Sequence, residues 1–208
     1  MSEASYPNFA GKHAEEAMYT AADFIAYMRG VGAFAEGEAP AGAVLEHLAA
    51  LGTRAVVSIG TAGSLQRGLE AGDLVLCEAA VRDEGVSHHY LPPARLAAPS
   101  AEMTAALGAA LRESGLAFRT GVSWTIDAPY RETVAEARHY QAEGVLCVEM
   151  EAAALFAVAQ VRGVRLASAF VISDSLADLV WNPRFGDPAV QAGLTGLYQV
   201  ALTALLAD

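Results

Sequence analysis

Short apolar runs alternating with stretches of helical spacing constrain this chain more than any other feature. Residues 55–59 (Ala-Val-Val-Ser-Ile), 73–81, 118–124, 145–148 and 164–172 each read as a β-strand, most of them apolar enough to be buried. Between them apolar residues recur every three or four positions. Thr20 stands as an N-cap before Phe24, Ile25 and Met28, and that helix ends at Gly30. Pro40 opens a second helix through Val44, Leu45 and Leu48 to Leu51-Gly52. Further helices are expected over residues 101–113, 130–143 and 150–162, with a final amphipathic helix over 188–206. Gly60-Thr61-Ala62-Gly63-Ser64 reads as a turn after the first strand. Residues 82–100, polar, aromatic and proline-bearing, read as a long loop of the kind that carries function. Strands alternating with helices predict an α/β fold, a three-layer α/β/α sandwich around a mixed β-sheet. No repeat or low-complexity tract interrupts it, and 208 residues suit one domain over positions 1–208.

Composition narrows the function classes. Apolar residues make up 54% of the chain and no Pro- or Gly-rich linker divides it, which argues for a packed protein. The formal net charge is −11, and the 13 Lys and Arg are scattered rather than gathered in a patch, so no nucleic-acid partner is expected. A small anionic ligand is still compatible, because one or two placed arginines suffice to hold it. Cys77 and Cys147, each inside an apolar run, are read as buried hydrophobes in a reducing cytosol. Residues 1–12 are polar and lack the apolar core of a signal peptide. No uncharged apolar run is expected to reach the roughly 18 residues of a membrane span. The expectation is a cytoplasmic protein with no membrane partner.

Three constellations carry chemistry. In Cys147-Val148-Glu149-Met150-Glu151-Ala152 a buried strand ends, two carboxylates follow two residues apart, and an alanine-rich helix begins. Ligand sites in α/β sheets lie beyond the carboxyl ends of strands. A carboxylate there can accept hydrogen bonds from both hydroxyls of a ribose, and a Met beside it can cover the sugar's apolar face. Acids in a first helical turn also complement the helix dipole, and spacing alone does not choose between the two. Ile172-Ser173-Asp174-Ser175 is another apolar strand ending in a carboxylate. Asp174 can give a proton to a leaving group if burial raises its pKa, or the same residues can cap a helix. Finally, Gly60 and Gly63 flank Thr61 where backbone N–H groups and a hydroxyl can meet an anion. Other chemistries lack their signatures. His13-Ala14-Glu15-Glu16 has no second histidine at zinc-protease spacing, no G-x-S-x-G elbow occurs, and no Cys or acid stands at ligand spacing from His88-His89, so no metal is expected.

Taken in order, several segments resemble those of purine and uridine phosphorylases. They are Val56-Val57-Ser58-Ile59-Gly60-Thr61-Ala62-Gly63, Val81-Arg82-Asp83-Glu84-Gly85-Val86-Ser87-His88-His89-Tyr90, Trp124-Thr125-Ile126-Asp127-Ala128-Pro129-Tyr130, Val148-Glu149-Met150-Glu151-Ala152-Ala153 and Ser173-Asp174. The resemblance implies a phosphorylase/hydrolase-like sandwich assembled as a homo-oligomer, dimer or hexamer. It implies reversible cleavage of the bond between ribose and base, with phosphate attacking an anomeric carbon of oxocarbenium character. By the same resemblance Glu151 holds the ribose hydroxyls of a small-molecule nucleoside, with Met150 on the sugar and Glu149 in support. Gly60 and Thr61 lie on the phosphate side, and Trp124, Thr125, Asp127 and Ser173 on the base side. Asp174, in the Ser-Asp form of purine-specific members, protonates or hydrogen-bonds N7 of the base. Arg82, His88 and His89 sit on a substrate loop. Inorganic phosphate is the implied co-substrate, with no other cofactor.

Departures from the family gather on the phosphate side. An early strand with a Gly-Asp-Pro-x-Arg loop has no counterpart, and Glu36-Gly37-Glu38-Ala39-Pro40 follows almost directly on the first helix, so the N-terminal half reads as shortened, with early strands missing. Ser58 stands where many members carry a phosphate-binding Arg, and Arg54 lies about 13 Å of strand away, too far to replace it. The Gln and Arg that read uracil in uridine phosphorylases are absent after Tyr130. Without an arginine, phosphate loses charge-assisted hydrogen bonds of about 1.5–3 kcal/mol each. Arg82, Arg131 and Arg184 are the candidate substitutes. Three readings follow: a phosphorylase-like enzyme preferring purine nucleosides, a nucleosidase in which water replaces phosphate, or a nucleoside-binding or structural member whose exposed sheet edge a partner covers.

Overall fold

The computed structural model describes residues 41–207. The expected helix over 20–30 and the helix-opening Pro40 lie outside them. From α1 (Ala41–Ala50) the chain runs through β1 (Ala55–Ser64), β2 (Leu74–Asp83), β3 (Leu96–Ala97), α2 (Ala101–Ser114), β4 (Phe118–Ile126) and α3 (Val134–Ala142). It continues through β5 (Cys147–Glu149), α4 (Ala152–Arg162), β6 (Arg165–Ser175), β7 (Asn182–Pro183) and α5 (Pro188–Leu206). One mixed sheet takes the strands in the order β3-β2-β4-β5-β1-β6-β7. The start of β2 pairs again, antiparallel, with β6, setting Leu74 opposite Val171 and Leu76 opposite Ala169. Five strands thereby close into a ring, which the alternation of elements did not announce. Register shifts between Cys77 and Ala79 and between Ala62 and Gly63 let the strands bend toward closure.

β6 explains why its own residues are apolar throughout. Leu166, Phe170 and Ile172 share a core with Leu45 of α1 and Phe156 of α4. Ala167, Ala169 and Val171, one position out of phase, meet Met103 and Leu107 of α2 and Val190 and Leu197 of α5. Side chains alternate along a strand, so a strand covered by helices on both faces has no solvent side to mark with polar residues. The expected α/β/α layering is therefore observed. A further cluster of Val81, Trp124, Ile126, Val145 and Val148 packs with Ala137 of α3.

Several boundaries differ from the sequence reading. The segment 60–64 is strand rather than turn, because Gly60, Thr61 and Ala62 pair with Phe170, Val171 and Ile172, and Ser64 with Cys147. Ser173-Asp174-Ser175 stays in β6 and caps no helix, held in the sheet by β7, where Asp174 lies opposite Pro183. The helix expected over 130–143 splits into a 3-10 turn at Pro129–Arg131 and α3, which begins after the capping box of Thr133 and Glu136. Residues 188–206 carry no charge, so the uncharged run is longer than expected, and by length and composition α5 could cross a membrane. Its buried face, Val190, Leu197, Val200, Ala201 and Ala204, packs instead into the core beside α2.

How closely α5 approaches the sheet is set at Gly193. A Cβ there would lie 2.8 Å from Val171 Cγ1 and 3.3 Å from the Gly72 carbonyl oxygen. Val171 is fully buried and β-branched, so it cannot swing aside. Gly193→Ala is expected to destabilise the fold by about 1–3 kcal/mol through overpacking, although Ala is the better helix former by ~1 kcal/mol. Urea unfolding checks this, and an unchanged or raised stability would show that the helix shifts freely.

Candidate active site

β1, β5 and β6 end near one another, and the segments around them enclose a cavity of about 840 Å³. Ile59 to Gly63 of β1 line it, with Glu149, Met150 and Glu151 leaving β5, and Ser173 and Asp174 ending β6. Glu132 also lines it, and the exposed rings of Tyr130, Trp181 and Phe185 form its rim.

Glu149 is buried at the junction of three elements. Its Oε1 accepts hydrogen bonds from the hydroxyls of Ser123, at 3.1 Å, and Thr125, both on β4. Its Oε2 accepts from the backbone N–H groups of Glu151 (2.8 Å) and Ala152 (2.7 Å), at the start of α4. Burial pushes its pKa up to about 7, against the downward pull of the Thr125 hydroxyl and the two backbone donors. Of the two roles spacing left open, Glu149 takes the helix-terminal one, satisfying N–H groups that α4 leaves unpaired. Because Glu149 is tied down, Met150 and Glu151 project beyond the strand end into the cavity. Glu151 makes no side-chain cap on α4, and burial raises its pKa above the usual range. Across the cavity, Asp174 is held by both oxygens. Oδ1 accepts from the Ser173 hydroxyl at 2.8 Å and Oδ2 from the Trp181 indole N–H at 3.0 Å. β1 packs flush against it, since a Cβ on Gly63 would come within 2.9 Å of Asp174 Oδ2. That is what this glycine provides, rather than a turn.

The cavity gathers Gly60, Thr61, Glu149, Met150, Glu151, Ser173 and Asp174 of the residues singled out in sequence. It does not gather the others. Trp124 is fully buried, donates its indole N–H to Asp83 at 2.9 Å and packs on Tyr140 with ring centroids 4.5 Å apart. Thr125 stands behind Glu149 and accepts from the Ala153 N–H at 3.0 Å. Asp127 accepts from the Gly85 N–H at 2.9 Å. Arg82, expected on a substrate loop, is buried with its guanidinium on Ser87 Oγ (2.8 Å) and the carbonyls of Pro92 (2.7 Å) and Leu91 (3.3 Å), so it organises the loop from within. His88 and His89 lie on the 3-10 turn Ser87–His89, and His88 Nε2 is 3.3 Å from the Arg82 carbonyl oxygen. Of the candidate phosphate ligands, Arg184 pairs with Asp187, and Arg131 stands between two lining residues without lining the cavity itself. Among the described residues the charged groups lining the cavity are Glu132, Glu149, Glu151 and Asp174. Glu132, Trp181 and Phe185 escaped the sequence reading. Two aromatics in the otherwise irregular stretch after β6 were the available signal for Trp181 and Phe185.

A sheet with helices on both faces and a carboxylate-lined cleft at its strand ends defines a small-molecule site of the α/β kind. The profile of the phosphorylase superfamily matches residues 4–189, and the chain belongs to that superfamily. A uridine phosphorylase of Thermococcus kodakarensis is 32% identical over 137 residues, covering 58% of this chain and 48% of that protein. A purine nucleoside phosphorylase of Bacillus cytotoxicus is 30% identical over 135 residues, covering 64% of this chain and 57% of that protein. Among solved structures, uridine phosphorylase from Vibrio fischeri matches with a TM-score of 0.67 at 28% identity, over 79% of this chain and 67% of that one. The chain spans about half the length of the curated relatives it matches.

The raised pKa of Glu149 has a consequence for stability. The folded carboxyl holds its proton up to about pH 7, whereas the unfolded one releases it near 4.5. The native state therefore binds more protons across that window, and unfolding free energy falls as pH rises through it, levelling off above. The expected loss is roughly 3 kcal/mol, with Glu132 and Glu151 acting in the same direction. Denaturant titrations between pH 5 and 8 measure the slope. Glu149→Gln is expected to flatten it, and an unaltered slope in that variant would refute the assignment.

Proposed function

We propose that this protein cleaves the N-glycosidic bond of a nucleoside, with purines preferred, in the cavity at the ends of β1, β5 and β6. The observation that carries the reading is the pairing of Glu151 with Asp174 across one cavity, in a chain of the phosphorylase superfamily. Glu151 accepts hydrogen bonds from the two ribose hydroxyls, and Met150 covers the sugar's apolar face. Asp174, held by Ser173 and Trp181, meets the base without having to be reorganised. As the bond to the base stretches, positive charge develops on the sugar, and carboxylates in a partly desolvated cleft favour that charge. Phosphate, entering beside Gly60 and Thr61, is the acceptor in this reading. A neighbouring copy in a homo-oligomer, dimer or hexamer, would supply the cation it needs.

One observation favours a second reading, in which water is the acceptor. Among the described residues no Lys or Arg lines the cavity, while four carboxylates do. A phosphate dianion entering such a site meets like charge, whereas water does not.

Base release from inosine, guanosine, adenosine and uridine, measured with and without phosphate, separates these readings. Phosphate-dependent purine release is the expected result, and release independent of phosphate selects the second reading. Folded protein that neither releases nor binds any of the four at millimolar concentration would sink both. Glu151→Ala is expected to lower kcat/KM by about 10- to 100-fold, the loss of hydrogen bonds to a charged group.

A further inference from the structure

β1 pairs along its whole length with β6, but on its other side it meets β5 only at Gly63 and Ser64. Its hydrogen bonds show what the rest of that side presents. The Arg54 and Ser64 carbonyls accept from the N–H groups of Arg165 (2.9 Å) and Leu176 (2.8 Å), on the side of β6. The Leu65 N–H donates to the Leu146 carbonyl (2.9 Å), on the side of β5. A strand residue aims its N–H and C=O to one side and the next residue to the other. Even-numbered residues of β1 therefore serve β6, and Ala55, Val57 and Ile59 turn theirs outward, where no described strand receives them. Exposure agrees with this. Ala55 to Gly60 are partly exposed, whereas Leu166, Ala167 and Ala169, their neighbours on β6, are fully buried.

Sheets keep such edges apart with lysines, prolines, bulges or a covering element. Ala55-Val56-Val57-Ser58-Ile59-Gly60 has no charge and no proline, and its β-branched residues favour an extended backbone. A second copy of the chain offers the same edge. Brought together antiparallel about a two-fold axis at Val57, the two edges match every outward N–H with an outward C=O. Ala55 then faces Ile59 of the second copy, and Val57 faces its own counterpart. Charge favours the same arrangement. Arg54, exposed just before the edge, falls opposite Gly60 of the second copy, in a pair whose Cα atoms lie about 4.5 Å apart. Gly60 lines the acid-bearing cavity, and nothing lies within 4 Å of where its Cβ would stand, so an arginine side chain has room beside it. A parallel alignment would set Arg54 far from that cavity and lose this complementarity.

We propose that the open edge of β1 docks a second copy of this chain, the two β1 strands pairing antiparallel about Val57 so that Arg54 of each copy stands beside the other's cavity. The two sheets become continuous across the junction. The paired stretch ends at Ile59, and the residues beyond it, Gly60 to Gly63, stay with the cavity. Association of this kind needs no nucleoside. It is therefore tested without one, and its failure is distinct from a failure of the cleavage reaction proposed above.

The test follows the full chain by sedimentation equilibrium and by amide exchange read residue by residue, both over a range of protein concentrations. Because each copy carries a formal charge of −11, the solution is kept at physiological ionic strength, where repulsion is screened beyond about 8 Å. The expected result is a monomer–dimer equilibrium in which the amides of Ala55, Val57 and Ile59 slow by about 10-fold or more as dimer forms. Those of Val56, Ser58 and Gly60, bonded to β6, are slow throughout. Arg54→Glu is expected to raise the dimer dissociation constant about 10-fold or more, and Arg54→Lys to change it by no more than about threefold. Thermal unfolding verifies that both variants are folded. A folded monomer with fast amides at 55, 57 and 59 would mean that no second copy docks there. Amides slow at every concentration in a monomer would mean that another segment of the same chain covers the edge. A dimer that leaves those amides fast uses a different face, and a dimer indifferent to Arg54→Glu lacks the antiparallel register. Each of these four results overturns the proposal.

Discussion

Everything in the candidate site depends on the hydrogen bonding of one buried carboxylate. Glu149 is taken out of water at the end of β5, and such a group persists only when its lone pairs are satisfied. Its four donors come from β4 and from the first turn of α4, so one side chain ties a strand, its neighbour and a helix N-terminus together. With that junction set, the two residues that follow have no room in the core and face the cavity. Asp174 is positioned by comparable means, through Ser173 and Trp181 and through the missing side chain of Gly63. The positions of the acids are thus consequences of how strands end, not of a dedicated loop.

The electrostatics of the cleft unify its chemistry. Four carboxyl groups line one cavity without a described cation, and those that are ionised suit developing positive charge on a sugar and oppose an anionic leaving base or anionic acceptor. The first effect is what the proposed glycosidic cleavage calls for, whichever the acceptor. The second puts the weight on proton delivery to the base and on where a phosphate would find its counter-charge. Within the stretch 82–100, read in sequence as a loop that carries function, Arg82 and Glu84 turn inward. Arg82 spends its donors on that loop's own carbonyls and on Ser87, and Glu84 accepts from the Val86 N–H at 2.6 Å. The charges of Arg82 and Glu84 stabilise a fold element and do not line the cavity.

Much of the fold was legible because both relevant periodicities were clean. Continuous apolar strands such as 164–172 announced burial on two faces, and the Ala- and Leu-rich helices between them announced the layers. Extents at the strand ends were less legible. Gly60 and Gly63 suggested a turn by composition, yet pairing with β6 kept them extended, since a partner strand outweighs a glycine's preference for turns. Ser173-Asp174-Ser175 had the composition of a helix cap, and pairing with β7 kept it in the sheet. Trp124 and Thr125 were read as base-side residues, but alternation along β4 points Trp124 into a core and Thr125 to Glu149. Glu132 carried no local signal, because what brings it to the cavity is its nearness to a residue 42 positions later.

By itself, the sequence determined the layered α/β architecture, the family resemblance and the two acidic strand ends. These follow from local periodicity and from short motifs whose meaning does not depend on distant contacts. Only the tertiary structure decided which acids share a cavity, which carboxyl is tied down, and that the sheet closes on itself. Those are questions of distance between residues far apart in the chain. Burial and hydrogen bonding there set the chemistry of a carboxyl group whose residue type alone leaves it open.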